Sequence, residues 1–255
     1  MSKSENLSNS ENAPNSENEC IIDGELEDQI NILISKASIE ENVKLYGPIY
    51  NRMVSEYALE FESRMLKEKP PEDIRGLEAV IKYLIANENR YPRGNCALIY
   101  GIAKTESKLQ GHAGSSGSRR AAYTATKSML EKGGLLKDLV GTTENVLEAA
   151  KAFAAKAGAA FASRGLSVSK AEKVQRIHYF GVEGKNQVSI LYSDCPYKDT
   201  CRALLNEGIS RLIGGLQCVN LILANACTEI ITKKRFDYVL DEFDKPDCRG
   251  RIFEA

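Results

Sequence analysis

Residues 172–194, EKVQRIHYFGVEGKNQVSILYSD, are where the hydrophobic period of this chain changes. Apolar and polar residues alternate on both sides of Glu183-Gly184-Lys185-Asn186, the pattern of two half-buried strands joined by a turn. The alternation predicts strands at about 173–182 and 187–193. Downstream the period returns to that of a helix over 198–213, breaks at Gly214-Gly215, and resumes over 216–230. Two further alternating segments follow at 235–243 and 248–254. Strand, strand, helix, helix, strand, strand, with no strand–helix–strand crossover, predicts an α+β unit whose antiparallel sheet is covered by helices.

Upstream, the chain reads as helical. Tyr46, Ile49, Tyr50, Met53, Tyr57, Phe61 and Met65 recur at three-to-four spacing, and Gly47-Pro48 divides the stretch in two. Leu77, Val80, Ile81, Leu84 and Ile85 share one helical face, a short helix is expected around Leu98–Ile102, and Thr142 and Thr143 are candidate caps for an alanine-rich helix ending near Ser163. The first residues repeat Ser-Glu-Asn at 4–6, 10–12 and 16–18 and are too polar to offset the entropy of ordering. The expected organisation is a disordered tail over 1–22, a helical region over 23–164 and the α+β region over 165–255.

Composition narrows the function. The 34 basic and 35 acidic side chains balance, which argues against a nucleic-acid partner. No apolar run reaches the roughly 18–20 residues needed to span a bilayer, and the first residues lack the basic-then-apolar layout of an export signal. A cytoplasmic protein with reduced thiols is the expectation, since the seven cysteines are an odd number scattered through a long chain.

The segment GSSGSRRAAY (114–123) is the one glycine- and serine-rich stretch with a chemical reading. A loop running into a helix near Arg119 would present backbone N–H groups, with Arg119 and Arg120, to an anionic ligand. It lacks a Walker ending, so a surface loop is the plainer alternative. His112 beside it is a candidate base or a solvated side chain, and His178, inside the first strand, reads as structural.

The cysteines carry more. In SDCPYKDTCRALL (193–205), Pro196 suits a first helical position and would leave Cys195 at the cap, where the helix dipole lowers a thiol pKa; Cys195 is then a candidate nucleophile or soft ligand, or else a small buried residue. Five residues separate Cys195 from Cys201, wider than the usual zinc spacing. Cys218 and Cys227, about 900° apart on one helix, point to opposite sides. Cys195, Cys218 and Cys248 remain as a mixed site that would take zinc or another thiolate-bound metal if the fold brings them together.

The order of hairpin, CPYKDTC (195–201), amphipathic helix, GGLQC (214–218), late strands and closing CRGRIFEA (248–255) resembles the 4-vinyl-reductase-type ligand-binding domain, related in fold to small subunits of vesicle-tethering transport complexes. It is also similar to the branch labelled L-2-amino-thiazoline-4-carboxylic acid hydrolases, with Cys195-Pro196, Cys218, Cys248 and Phe253 at the matching positions. The resemblance implies a helical half packed on an antiparallel sheet, an apolar pocket between them, and a homodimer. A small hydrophobic ligand held by Tyr50, Tyr57, Tyr100 and Tyr179 is the leading expectation. The alternatives are a cysteine- or metal-dependent hydrolase of a small heterocyclic amide or thiazoline, and a metal or iron–sulfur accessory protein.

Overall fold

The computed structural model describes residues 19–22, 24–69, 71–86, 94–110, 115–162, 175–182, 184–193, 195, 197–209, 218–243 and 247–255. Its helices are α1 (Gly24–Tyr46), α2 (Pro48–Leu66), α3 (Leu77–Ala86), α4 (Gly94–Gln110), α5 (Ser115–Gly133), α6 (Val146–Ala162), α7 (Lys198–Asn206) and α8 (Val219–Thr232). Its strands are β1 (Glu19–Ile22), β2 (Gln175–Gly181), β3 (Gln187–Ser193), β4 (Phe236–Glu242) and β5 (Cys248–Glu254), in the antiparallel order β1-β2-β3-β5-β4. The α+β class, with helices first and the sheet towards the C-terminus, is the one the periodicity predicts.

Local chemistry sets the breaks. Gly47 turns the chain at φ 72°, Pro48 starts α2, and Lys67 and Lys233 close α2 and α8 in the left-handed region. The cap of α6 is Asn145, whose Oδ1 accepts from the N–H groups of Leu147 and Glu148 at 2.9 and 3.1 Å. Thr143, a candidate for that position, instead accepts from the N–H of Asn145. Residues 19–22, assigned to the tail by the sequence reading, pair with β2 as the edge strand, Glu19 opposite His178 and Ile22 opposite Gln175. Three residues in a row, Cys20-Ile21-Ile22, carry the apolar character that the preceding repeats lack.

On the sheet, Ile177 and Tyr179 of β2, Val188, Ile190 and Tyr192 of β3, Cys248, Gly250 and Ile252 of β5 and Tyr238 of β4 are buried and in register across neighbouring strands. They face α6 and α8. Two glycines permit the close approach. A Cβ on Gly250 would lie 2.6 and 2.8 Å from the Leu221 methyls of α8, and one on Gly181 would lie 2.9 Å from Leu147 Cδ2 of α6. The α2–α4 contact works the same way, since a Cβ on Gly101 would stand 2.5 Å from the Val54 carbonyl oxygen.

That contact also moves the buried stripe of α2. Tyr50, Val54, Ala58 and Phe61 are buried, whereas Ile49 is exposed and Met53, Tyr57 and Met65 are half-buried. Small side chains at 54 and 58 are what a glycine-containing helix face accommodates.

The turn of the β2–β3 hairpin joins the two halves. Asn186 Oδ1 accepts from the N–H of Val146 at 2.9 Å, while its Nδ2 donates to the Glu144 carbonyl and to Glu254 Oε2. One side chain thus ties the start of α6 to the end of β5.

Gly250→Ala is expected to cost about 1–3 kcal/mol through overpacking. Adding Leu221→Ala should recover part of that loss, so the two substitutions combine non-additively in a denaturant-melting double-mutant cycle. Strict additivity would disprove the close approach.

Candidate functional site

The sheet brings distant cysteines to one end. Cys248 opens β5 and pairs with Tyr192 of β3, three residues before Cys195. Cys201 lies in the first turn of α7, its N–H donating to the Tyr197 carbonyl at 2.9 Å. Cys218 is the N-cap of α8, and Asn220, in the first turn of that helix, donates from Nδ2 to Cys195 Sγ at 3.8 Å. The three thiols singled out in the sequence therefore meet, and Cys201 joins them. Cys195, Cys201 and Cys248 are buried, and Cys218 is half-buried.

Cys195 is not at the helix cap expected for it. α7 begins at Lys198 with Tyr197 at its cap, so Cys195 sits two residues outside the helix end, with its carbonyl accepting from the Lys198 N–H. Burial drives its thiol pKa well up, and the charges that Cys201, Cys218 and Cys248 would carry push it further. Both effects disfavour the thiolate form that a nucleophilic cysteine needs. Cys227, on the inner side of α8, is likewise pushed up by burial alone. Among the described residues, no group of three or more His, Cys, Asp or Glu side chains is arranged to hold a metal ion.

The tyrosines fall into separate places. Tyr50 packs with Ile39 and Val54 and donates to Glu106 Oε1 at 3.1 Å; burial, followed by the Glu106 charge and hydrogen bond, raises its pKa. Tyr100 stacks on Phe61 with centroids 4.4 Å apart and donates to Glu207 Oε1 at 2.5 Å. Tyr57 joins it through Lys104, whose Nζ stands 5.1 Å from the Tyr57 ring centroid and 5.3 Å from that of Tyr100. Tyr179 is on the inner face of the sheet. Tyr57 and Tyr100 are thus brought together, while Tyr50 belongs to another cluster.

Arg119 and Arg120 lie in α5, which begins at Ser115 rather than near Arg119; their side chains, and His112, lie outside the described residues. The ring of His178 stacks with that of Phe180, on strand residues that alternate with buried Ile177 and Tyr179.

Two carboxylates escape a reading by period alone. Glu207, just past α7, accepts from Tyr100, from Lys104 at 2.9 Å and from Arg64 at 3.0 Å. Burial works to raise its pKa, but the hydrogen bonds from Tyr100, Lys104 and Arg64 outweigh it and hold the carboxyl at about 2. Glu229 of α8 accepts from Tyr123 and, at 2.9 Å, from Lys127, both of α5, while its other oxygen accepts from the Phe236 N–H of β4 at 3.0 Å. Burial again works upward, and the three donors together lower its pKa. Both are staples between elements, each accepting from three donors.

No protein-family model, curated protein or solved structure matches the chain.

Because the Glu207 carboxyl is depressed from an ordinary value of 4.5, its stabilising contribution is fully present above pH 4.5 and is lost as pH falls towards 2. The stability difference between the wild type and Glu207→Gln should therefore be largest near neutrality and shrink below pH 4, as read by denaturant midpoints. A difference independent of pH would refute the staple.

Proposed function

We propose that this chain is a small-molecule binding or accessory protein of the 4-vinyl-reductase type, and that it holds an uncharged, largely apolar ligand at the thiol-bearing end of the sheet. The observation that carries the reading is the convergence of Cys195, Cys201, Cys218 and Cys248 at the start of α8, next to Tyr192 and Asn220. Thiol, phenol and amide groups offer polarisable contact and a few hydrogen bonds without a fixed charge, which suits a neutral guest better than an anion. Nearby, Lys198 and Asp247 face one another at 4.0 Å and supply a polar rim.

The α+β class that the family resemblance implies is the one found. Burial, which raises the Cys195 thiol pKa, favours the binding reading over the hydrolase alternative. On the described residues, no helix is long and apolar enough to cross a membrane.

Native mass spectrometry of the freshly purified protein tests the reading. An organic molecule should travel with the polypeptide, and an environment-sensitive apolar dye should brighten on binding to ligand-stripped protein. Cys218→Trp, which fills the half-buried edge of the cluster, should weaken the dye about tenfold, the loss of roughly 1.4 kcal/mol. A bare polypeptide that leaves the dye dark would end the proposal. The same spectrum reports whether the chain is the homodimer that the resemblance implies.

A further inference from the structure

The seam between α1, α2 and α4 is layered. At one level Ile39, Tyr50 and Val54 pack together with Ile102. Asn42 lies three residues beyond Ile39 on α1, and Thr105 and Glu106 lie three and four beyond Ile102 on α4, so the next turn of the same helix faces is polar. The hydrogen bonds show that these groups meet. Asn42 Nδ2 donates to the Ser38 carbonyl at 3.0 Å and to Glu106 Oε1 at 3.4 Å, and the Tyr50 hydroxyl donates to the same Glu106 oxygen at 3.1 Å.

That layer has oxygens to spare. Among the described residues, Asn42 Oδ1, Thr105 Oγ1 and, one turn back along α1, Ser38 Oγ are buried atoms with no hydrogen-bond partner. Their residues are sealed from solvent, with Asn42 1%, Thr105 0% and Ser38 3% exposed. A buried polar atom left without a partner is costly, and three in one seam, beside a carboxylate, ask for an occupant that the polypeptide does not itself supply.

We propose that this seam binds one alkali-metal cation, potassium or sodium, held by Asn42 Oδ1, Thr105 Oγ1 and the Glu106 carboxylate, with Ser38 Oγ beside them. The donor set decides the class. An amide oxygen, hydroxyls and a carboxylate are hard ligands, with none of the thiolate or imidazole that softer transition metals select. Calcium and magnesium sites draw on several carboxylates or on retained waters, whereas here one carboxylate matches one positive charge. Oxygen dipoles can replace the hydration shell of such an ion. The ion would fasten α1 to α4 beside the Tyr50 hydroxyl of α2, so the hold on α1 depends on the cation present. The site shares no residue with the thiol-bearing end of the sheet, so this inference and the ligand reading can fail separately.

Full-length protein melted at constant ionic strength in potassium, sodium or N-methyl-D-glucamine chloride tests the site. One of the two alkali ions, at ten times its Kd, should raise the melting temperature by about 4 °C over the organic cation. Glu106→Gln, which keeps the size of the side chain and removes its charge, should abolish that difference, and the isosteric Thr105→Val should raise the concentration needed about tenfold. A crystal of the wild-type protein grown with thallium(I) should show an anomalous peak in contact with Asn42 Oδ1 and the Glu106 carboxylate, a readout that needs no variant to fold. Equal melting in all three salts, an ion preference that survives Glu106→Gln, or density at that place with no anomalous signal, as a water would give, overturns the proposal.

Discussion

The seat of α8 on the sheet is the constraint from which the rest follows. Leu221 occupies space that any side chain at position 250 would need, and such a Cβ would also stand 3.0 Å from the Val239 carbonyl of the neighbouring strand. Farther along α8, Asn225 donates to the Phe236 carbonyl and Glu229 accepts from the Phe236 N–H, which fixes the opposite end of the helix to the start of β4. With both ends held, the helix cannot slide. Its N-terminus must lie over the end of the sheet where β3 finishes and β5 begins, and four thiols become neighbours without any local sequence motif.

That placement gives the thiols unequal chemistry from equal composition. In a low-dielectric setting an ionised thiol is costly, and each neighbouring thiol that ionised would raise the cost for the next. Burial therefore disfavours an ionised Cys195, while the half-buried Cys218 stands at a helix N-terminus. A cluster that could be a metal site in sequence becomes a graded set in burial, from the half-buried Cys218 to the buried Cys195, Cys201 and Cys248. Reactivity here is a property of position along that gradient.

Much of the architecture was legible in the sequence because it depends on local period. Alternation marked β2 to β5, Gly47-Pro48 divided α1 from α2, and the hairpin turn fell where Glu183 to Asn186 predicted. What escaped depends on long-range packing. Whether Cys195 or Tyr197 caps α7 is decided by the burial of Tyr197 and Cys201, which period does not report. The buried stripe of α2 turned towards Val54 and Ala58 because Gly101 lets α4 come close. Glu207 and Glu229 carry no sequence signal of their role, since their partners are contributed by residues from 7 to 143 positions away. The edge strand β1 was hidden by its polar neighbours, although Cys20-Ile21-Ile22 broke their pattern.

The two buried-edge carboxylates also say where acid–base chemistry is not organised. A general acid or base working near neutral pH needs a carboxyl pKa raised towards 7, obtained by burial without compensating donors. Glu207 and Glu229 have the reverse, since each is surrounded by cations and phenols that hold the proton off and occupy the oxygens a substrate would need. Their energy is spent joining α2, α4 and α7 in one case and α5, α8 and β4 in the other. With those groups committed to structure, the thiol cluster at the end of the sheet is where the proposed ligand would bind.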